Sequence, residues 1–178
     1  MPDLQGERVT LRPLREEDFP AMRAAHEAGI ASIAKLDPAG ERRLRRRVER
    51  SGAMVDGWLD LGIEAEGRLI GDVGARRPAG ALPPGVFEIG IELYDETDRG
   101  KGYGGEAVRL ITNHLFADHL AARVQASTDV TNAAMRKALE RAGYAEEGVM
   151  RWFRDAGNGQ RDDYVLYAVT RPDWDPAD

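Results

Sequence analysis

The chain has no cysteine, which excludes disulfides, thiolate metal sites and a cysteine nucleophile at the outset. Its three histidines are scattered and make no metal-ligand spacing such as H-E-x-x-H, so metal catalysis is not expected. No uncharged apolar run approaches the roughly 18 residues that a membrane span needs, and no membrane partner is expected. Met1 to Arg8 show no basic start followed by an apolar core, so nothing resembles a secretory signal and the default expectation is a cytoplasmic location. Excess positive charge is also lacking. A net charge of −6 argues against a broad nucleic-acid surface, which needs clustered Lys and Arg to replace phosphate counterions.

What is present is ordinary for a globular protein, with 42% hydrophobic and 31% charged residues. A length of 178 residues accommodates one domain with a full core, and one domain over 1–178 is expected. One basic stretch stands out: Arg42, Arg43, Arg45, Arg46, Arg47 and Arg50 crowd a single segment. Leu44 and Val48 lie four apart within it, with Glu41 and Glu49 interspersed, so it reads as the solvated face of an amphipathic helix.

Elements of both kinds follow from periodicity. Arg8 to Leu14, Trp58 to Glu64, Leu69 to Arg76, Val86 to Tyr94, Arg123 to Thr128, Tyr144 to Arg154 and Asp162 to Val169 read as strands. Helical spacing marks Arg15 to Ala28, Glu41 to Arg50, Gly104 to Asp118 and a helix from Thr131 that ends at Gly143. The turn Ala65 to Arg68 makes a hairpin, with Gly67 suited to positive φ, and Gly157, Asn158 and Gly159 signal a second one. Loops are expected from Ala28 to Pro38 and from Pro78 to Gly85.

The segment with chemical content is Asp98-Arg99-Gly100-Lys101-Gly102-Tyr103-Gly104-Gly105-Glu106, placed between a predicted strand and a predicted helix. Glycines let the backbone approach a bulky anion, and the free amides with the positive end of the helix dipole favour phosphate there. An ATP-binding P-loop is excluded, because no Ser or Thr follows a Gly-Lys pair. Gly100, Gly102 and Gly105 do satisfy the dinucleotide pattern G-x-G-x-x-G, with Asp129 as its ribose ligand. That pattern sits poorly here, since Asp95 to Arg99 separate strand from glycine and few βαβ units surround it.

Arg99-x-x-Gly102-x-Gly104 resembles the Gln/Arg-x-x-Gly-x-Gly/Ala pyrophosphate motif of the Gcn5-related N-acetyltransferases (GNAT). The neighbourhood extends the resemblance: Phe87-Glu-Ile-Gly-Ile-Glu-Leu93 is similar to the preceding strand of the ribosomal-protein (RimJ/RimL-like) branch. Thr131-Asn132 and the helix ending in Gly143-Tyr144 resemble the family's second signature, and Glu7 to Asp18 resembles the branch's opening. The resemblance implies an α/β fold: a twisted, mostly antiparallel mixed sheet of about seven strands, flanked by about four helices and splayed between strands four and five.

It also implies a function. Acetyl-CoA would be the cosubstrate and an amine would attack its thioester directly, without an acyl-enzyme. Arg99, Gly100, Lys101, Gly102, Tyr103 and Gly104 would hold the diphosphate, and the backbone at Leu93 and Tyr94 would pair with the pantetheine arm and polarise the carbonyl. Asn132 would hydrogen-bond that arm, cap its own helix, or do both. The Tyr103 and Tyr144 rings read as packing groups.

A lysine-like amine with pKa about 10.4 needs a base more than an α-amine near 7.7 to 8.0 does. Glu88 and Glu92 share one strand face with Gly90, opposite Phe87, Ile89, Ile91 and Leu93, as candidate bases or as solvated charges. Asp72 on the adjacent strand is a weaker candidate. Branch members carry Ser or Tyr as general acid where this chain has Met135 and Leu139, so thiolate would leave unaided, which a thiol of pKa near 8.5 permits. That departure leaves a non-catalytic acyl-CoA-sensing module as the alternative. The acceptor is an amine on a protein N-terminus or a small molecule, and a homodimer is compatible with the resemblance.

Overall fold

The strands are β1 (Leu4–Gln5), β2 (Thr10–Arg12), β3 (Trp58–Ala65), β4 (Arg68–Arg76), β5 (Val86–Leu93), β6 (Arg123–Asp129), β7 (Ala145–Gly157) and β8 (Gln160–Thr170). They form one mixed sheet in the order β1-β2-β3-β4-β5-β6-β8-β7. The computed structural model describes residues 3–28, 37–77, 80, 82–157 and 159–174. Most of the first long loop expected from sequence, positions 78, 79 and 81 of the second, and Asn158 in the last hairpin therefore lie outside the described residues.

The sheet is α/β in class and has eight strands rather than seven. The additional strand is β1, whose Leu4 and Gln5 pair with Leu11 and Thr10 and are too few to display alternation. Pairing is antiparallel throughout except between β5 and β6. At the β3–β4 turn both Glu66 and Gly67 take positive φ, which suits a two-residue hairpin.

Among the described residues four α-helices accompany the sheet: α1 (Phe19–Glu27), α2 (Pro38–Arg50), α3 (Tyr103–Asp118) and α4 (Ala133–Arg141). The first helix was expected from Arg15, but Glu16–Asp18 forms a single 3-10 turn ahead of it. Pro20 has no N–H to give to such a ladder, so it belongs at the start of α1. Asp37 caps α2, its side chain accepting from the Gly40 N–H at 2.7 Å.

Alternation sorts the two faces. Phe87 and Ile89 on β5 join Val108, Ile111 and Leu115 of α3 and Leu139 of α4 in the main core. The opposite face packs Leu14, Phe19, Met22 and Leu44 with Val48 and Tyr94, under α1 and α2. There the expected solvated arginine face holds for Arg42, Arg43, Arg45 and Arg46, which are exposed, and is corrected at Arg47 and Arg50. Arg47 turns inward, bonding Asp60 at 2.9 Å and Asp72 at 2.6 Å, and Arg50 also reaches Asp60. Those buried carboxylates need cationic partners, and α2 is the element that supplies them.

Candidate active site

The β5–β6 ladder is short. It consists of Val86 with Arg123, Phe87 with Val124 and Glu88 with Gln125, although β5 runs on to Leu93 and β6 to Asp129. Beyond Glu88 each strand keeps only its other neighbour, β4 for β5 and β8 for β6. The edge of β5 from Ile89 to Leu93 thus opens as a wedge with ladder groups unclaimed by any strand among the described residues. The Tyr94 N–H is not one of these groups, because it donates to the Ile70 carbonyl at 2.9 Å. Strand alternation aims the preceding N–H, that of Leu93, at the open edge instead. Of the two residues expected to offer backbone there, Tyr94 has its N–H committed to β4.

The glycine turn stands at the mouth of this wedge, reached from β5 through the 3-10 turn Glu96–Asp98 and leading into α3. Gly100 and Gly102 have φ of +77° and +90°, a region that L side chains adopt only at a cost. Gly102 is the N-cap of α3, and the Glu106 N–H is the first to close onto its carbonyl, at 3.1 Å. The N–H groups of Tyr103, Gly104 and Gly105 precede that bond, so they have no intrahelical acceptor and carry the positive end of the helix dipole. At the start of α3 a Cβ would be accommodated: one on Gly104 would lie 3.8 Å from Ile91, and one on Gly105 3.8 Å from Ala138 of α4.

Side chains distant in sequence clamp this turn. Asp98 is fully buried and takes two bonds from Arg68 of β4, at 2.7 and 2.9 Å. The Arg68 bond is the main reason that its carboxyl is held below the usual range. The Lys101 ammonium is drawn back toward Asp98 at 3.4 Å, so its contribution at the turn is its backbone. The Tyr103 ring is buried and its hydroxyl donates to Glu66 at 3.0 Å. Arg8 donates to the Lys101 carbonyl at 2.8 Å. Arg99 is half-exposed, 3.6 Å from Glu96.

On the α1–α2 face, Glu88, Gly90 and Glu92 face Arg76, Gly74 and Asp72 across the β4–β5 ladder. Among the described residues nothing lies within 4 Å of a Cβ built on Gly90, between the two glutamates. The glutamates differ. Glu88 is ion-paired with Arg76 and sits where β5 still pairs with β6, whereas Glu92 sits in the splayed part beside Leu93. Asp72 is occupied: one oxygen accepts from Arg47 at 2.6 Å and the other from the Tyr94 hydroxyl at 2.6 Å. Burial pushes that hydroxyl's pKa up, and the charge of Asp72 and its bond add to the shift, so Tyr94 stays a neutral donor. His26, in the last turn of α1, is held below its usual pKa by burial and by Arg47, against the opposing pull of Glu92 and Asp72.

Asn132 is the N-cap of α4, its side-chain oxygen accepting from the Met135 N–H at 3.1 Å, which leaves its amide N–H groups as donors. Leu139 is in the core and Met135 packs against it. Tyr144 is buried, its hydroxyl 2.7 Å from that of Thr112. Asp129 is engaged by the N–H and hydroxyl of Thr131 at 2.7 and 2.5 Å. With a single parallel strand pair among the described residues and this Asp129 turned to its own loop, the dinucleotide pattern lacks its supporting βαβ units. The structure therefore gathers Glu92, Leu93, Arg99 to Gly104 and Asn132 around one wedge, and leaves Glu88 at its closed end. Sequence reasoning missed Arg8, Arg47, Glu66 and Arg68. Each acts across the fold, and no local pattern marks it.

Comparison with known proteins agrees with this geometry. A family model described as "Acetyltransferase (GNAT) domain" matches residues 8–145. The "Probable N-acetyltransferase YjcK" of Bacillus subtilis strain 168 is 34% identical over 109 residues, covering 61% of this chain and 59% of that protein. The matched stretch thus spans less than two thirds of that relative's length. Ribosomal-protein-S5-alanine acetyltransferase from Vibrio fischeri shares the fold with a TM-score of 0.77 at 20% identity, over 99% of this chain and 100% of that one. RimL, a ribosomal L7/L12 alpha-N-protein acetyltransferase solved in complex with coenzyme A, has a TM-score of 0.75 at 19% identity, covering 99% and 100%. A family model that spans most of the chain, on a sheet splayed beside its glycine turn, establishes that the chain belongs to the GNAT acetyltransferase family.

Proposed function

We propose that the chain is an acetyl-CoA-dependent N-acetyltransferase that transfers an acetyl group to a primary amine by direct attack. The observation that carries this reading is the coincidence of three features: a wedge between β5 and β6, a glycine turn at its mouth, and Glu92 beside the open edge. The residues present fit the coenzyme, because positive-φ glycines and uncapped α3 amides make a cradle for a diphosphate. When bound, acetyl-CoA supplies an activated thioester.

The amides of the turn and Arg99 hold the diphosphate, and an Asn132 amide N–H donates to the pantetheine arm. The Leu93 N–H polarises the thioester carbonyl. Glu92 accepts the proton lost by the attacking amine as the C–N bond forms and the C–S bond breaks. The sulfur leaves as thiolate, since Met135 and Leu139 have no proton to give. The acceptor class follows one fold neighbour named above, the ribosomal L7/L12 alpha-N-protein acetyltransferase. An α-amine near pKa 7.7 to 8.0 is already partly neutral, which suits a site where Met135 and Leu139 stand in place of the branch's proton donors.

The pH-rate profile with a lysine-like acceptor tests the assignment. Glu92→Gln should lower turnover by about 10²- to 10⁴-fold and change the acidic limb, while Glu88→Gln should have a small effect. Wild-type rates across pH in Glu92→Gln would remove Glu92 from the mechanism. Acetyl-CoA binding without acetylation of any amine would replace the reading with the sensing module.

A further inference from the structure

The N-terminal segment runs across the outside of the glycine turn in close contact with it. Gly6 makes this possible, since a Cβ there would lie 2.0 Å from Glu106 Oε1 and 2.9 Å from the Val9 carbonyl oxygen. Two residues on, Arg8 bonds both sides of the turn. Its backbone N–H donates to Glu106 Oε1 at 3.0 Å, and its Nη1 donates to the Lys101 carbonyl at 2.8 Å. The same Nη1 lies 3.2 Å from the place a Cβ on Gly102 would occupy, so the bare Gly102 is what admits the guanidinium.

Two of the other cations around the turn, Lys101 and Arg68, are directed at the buried Asp98, whereas Arg99 makes only a 3.6 Å surface pair with the exposed Glu96. Arg8 is exposed, and the single bond from Nη1 to Lys101 uses one of the five N–H donors that a guanidinium carries. The planar fork can hold a backbone carbonyl with one edge and meet an anionic oxygen with another, which an ammonium on a flexible stem does poorly.

We propose that Arg8 is a cofactor-binding residue: it fixes the turn through the Lys101 carbonyl and presents its remaining N–H donors to the diphosphate held there. The inference rests on the acetyl-CoA reading of the turn and adds a cation from outside the glycine motif.

Titration calorimetry of the protein with coenzyme A, at low and at high NaCl, tests it without relying on turnover. Arg8→Gln should weaken coenzyme A roughly tenfold to a hundredfold, the range for losing a charge-assisted hydrogen bond. Its affinity should also depend less on salt than the wild type's, because the removed contact is one that salt screens. Arg8→Lys, which keeps the charge and loses the fork, should fall between the two. Affinity within about twofold of wild type in Arg8→Gln overturns the inference. So does a weakened affinity with unchanged salt dependence, which would leave Arg8 as a brace for the turn alone. If the wild type fails to bind coenzyme A, the reading of the turn itself falls; if it binds and Arg8→Gln binds equally well, only the role of Arg8 falls.

Discussion

Replacing two glycines of the turn by alanine should separate backbone conformation from the space available for a side chain. At Gly102, φ is +90° and an added Cβ meets Arg8 Nη1 at 3.2 Å, so alanine is strained and also displaces the clamp. The left-handed region costs an L residue about 1–2 kcal/mol. For a domain of this size about 1 kcal/mol corresponds to roughly 2–4 °C, so Gly102→Ala should lower Tm by about 2–8 °C. Should the turn relax to relieve the strain, its amides no longer converge on one anion. Loss of a charge-assisted bond worth about 1.5–3 kcal/mol then weakens acetyl-CoA by roughly one to two decades. Gly104 is different. Its φ is not in the left-handed range, and a Cβ there makes ordinary contacts with Ile91 at 3.8 Å and Leu93 at 3.9 Å. Alanine near the start of a helix should add about 0.5 kcal/mol of stability, or roughly 1–2 °C, and leave acetyl-CoA affinity within about threefold. Thermal melts and calorimetry on both variants decide. The reasoning is refuted if Gly102→Ala binds as the wild type does, or if Gly104→Ala loses as much affinity as Gly102→Ala.

Asp72→Asn removes the charge that receives both Arg47 and Tyr94, leaving a buried guanidinium short of a partner. A loss of about 3–5 kcal/mol, or roughly 6–20 °C in Tm, is expected, and a melt within 2 °C of wild type would contradict it. Stability should also fall on mild acidification. His26 and His119 both have folded pKa values lowered chiefly by burial, helped by Arg47 for His26 and by His114 for His119. The unfolded chain therefore binds protons first as pH falls through about 6.5. The stabilisation is complete above that pH and is lost as pH drops through the folded values, by at most about 1.4 kcal/mol per pH unit for each group. Urea unfolding at pH 7.5 and 5.5 should reveal the loss, and the variant His26→Gln/His119→Gln should lose less; equal losses in both proteins would exclude these two groups.

The glycine turn and its flanking elements were legible because their signals are local: a β-branched run, four glycines in six residues, then helical spacing. The splay followed only from the resemblance, since periodicity cannot say where two strands part. Arg47 was misread for a physical reason. A run of arginines looks solvated until Asp60 and Asp72, on neighbouring strands, are brought beneath it. Arg8 and Arg68 were invisible as site residues because their partners lie 93 and 30 positions away. The two candidate glutamates were equivalent in sequence. They became distinct only when the ladder register placed Glu88 at the closed end of the wedge and Glu92 in its open part.

The most direct test of the proposed activity is mass spectrometry of amine acceptors incubated with the protein and acetyl-CoA, using peptides with free N-termini alongside small polyamines. The account predicts acetylation at the N-terminal amine of at least one peptide, with a loss in Glu92→Gln that is smaller there than for a lysine-like acceptor, because the α-amine is already partly neutral. Acetyl-CoA binding with every acceptor left unmodified would contradict it.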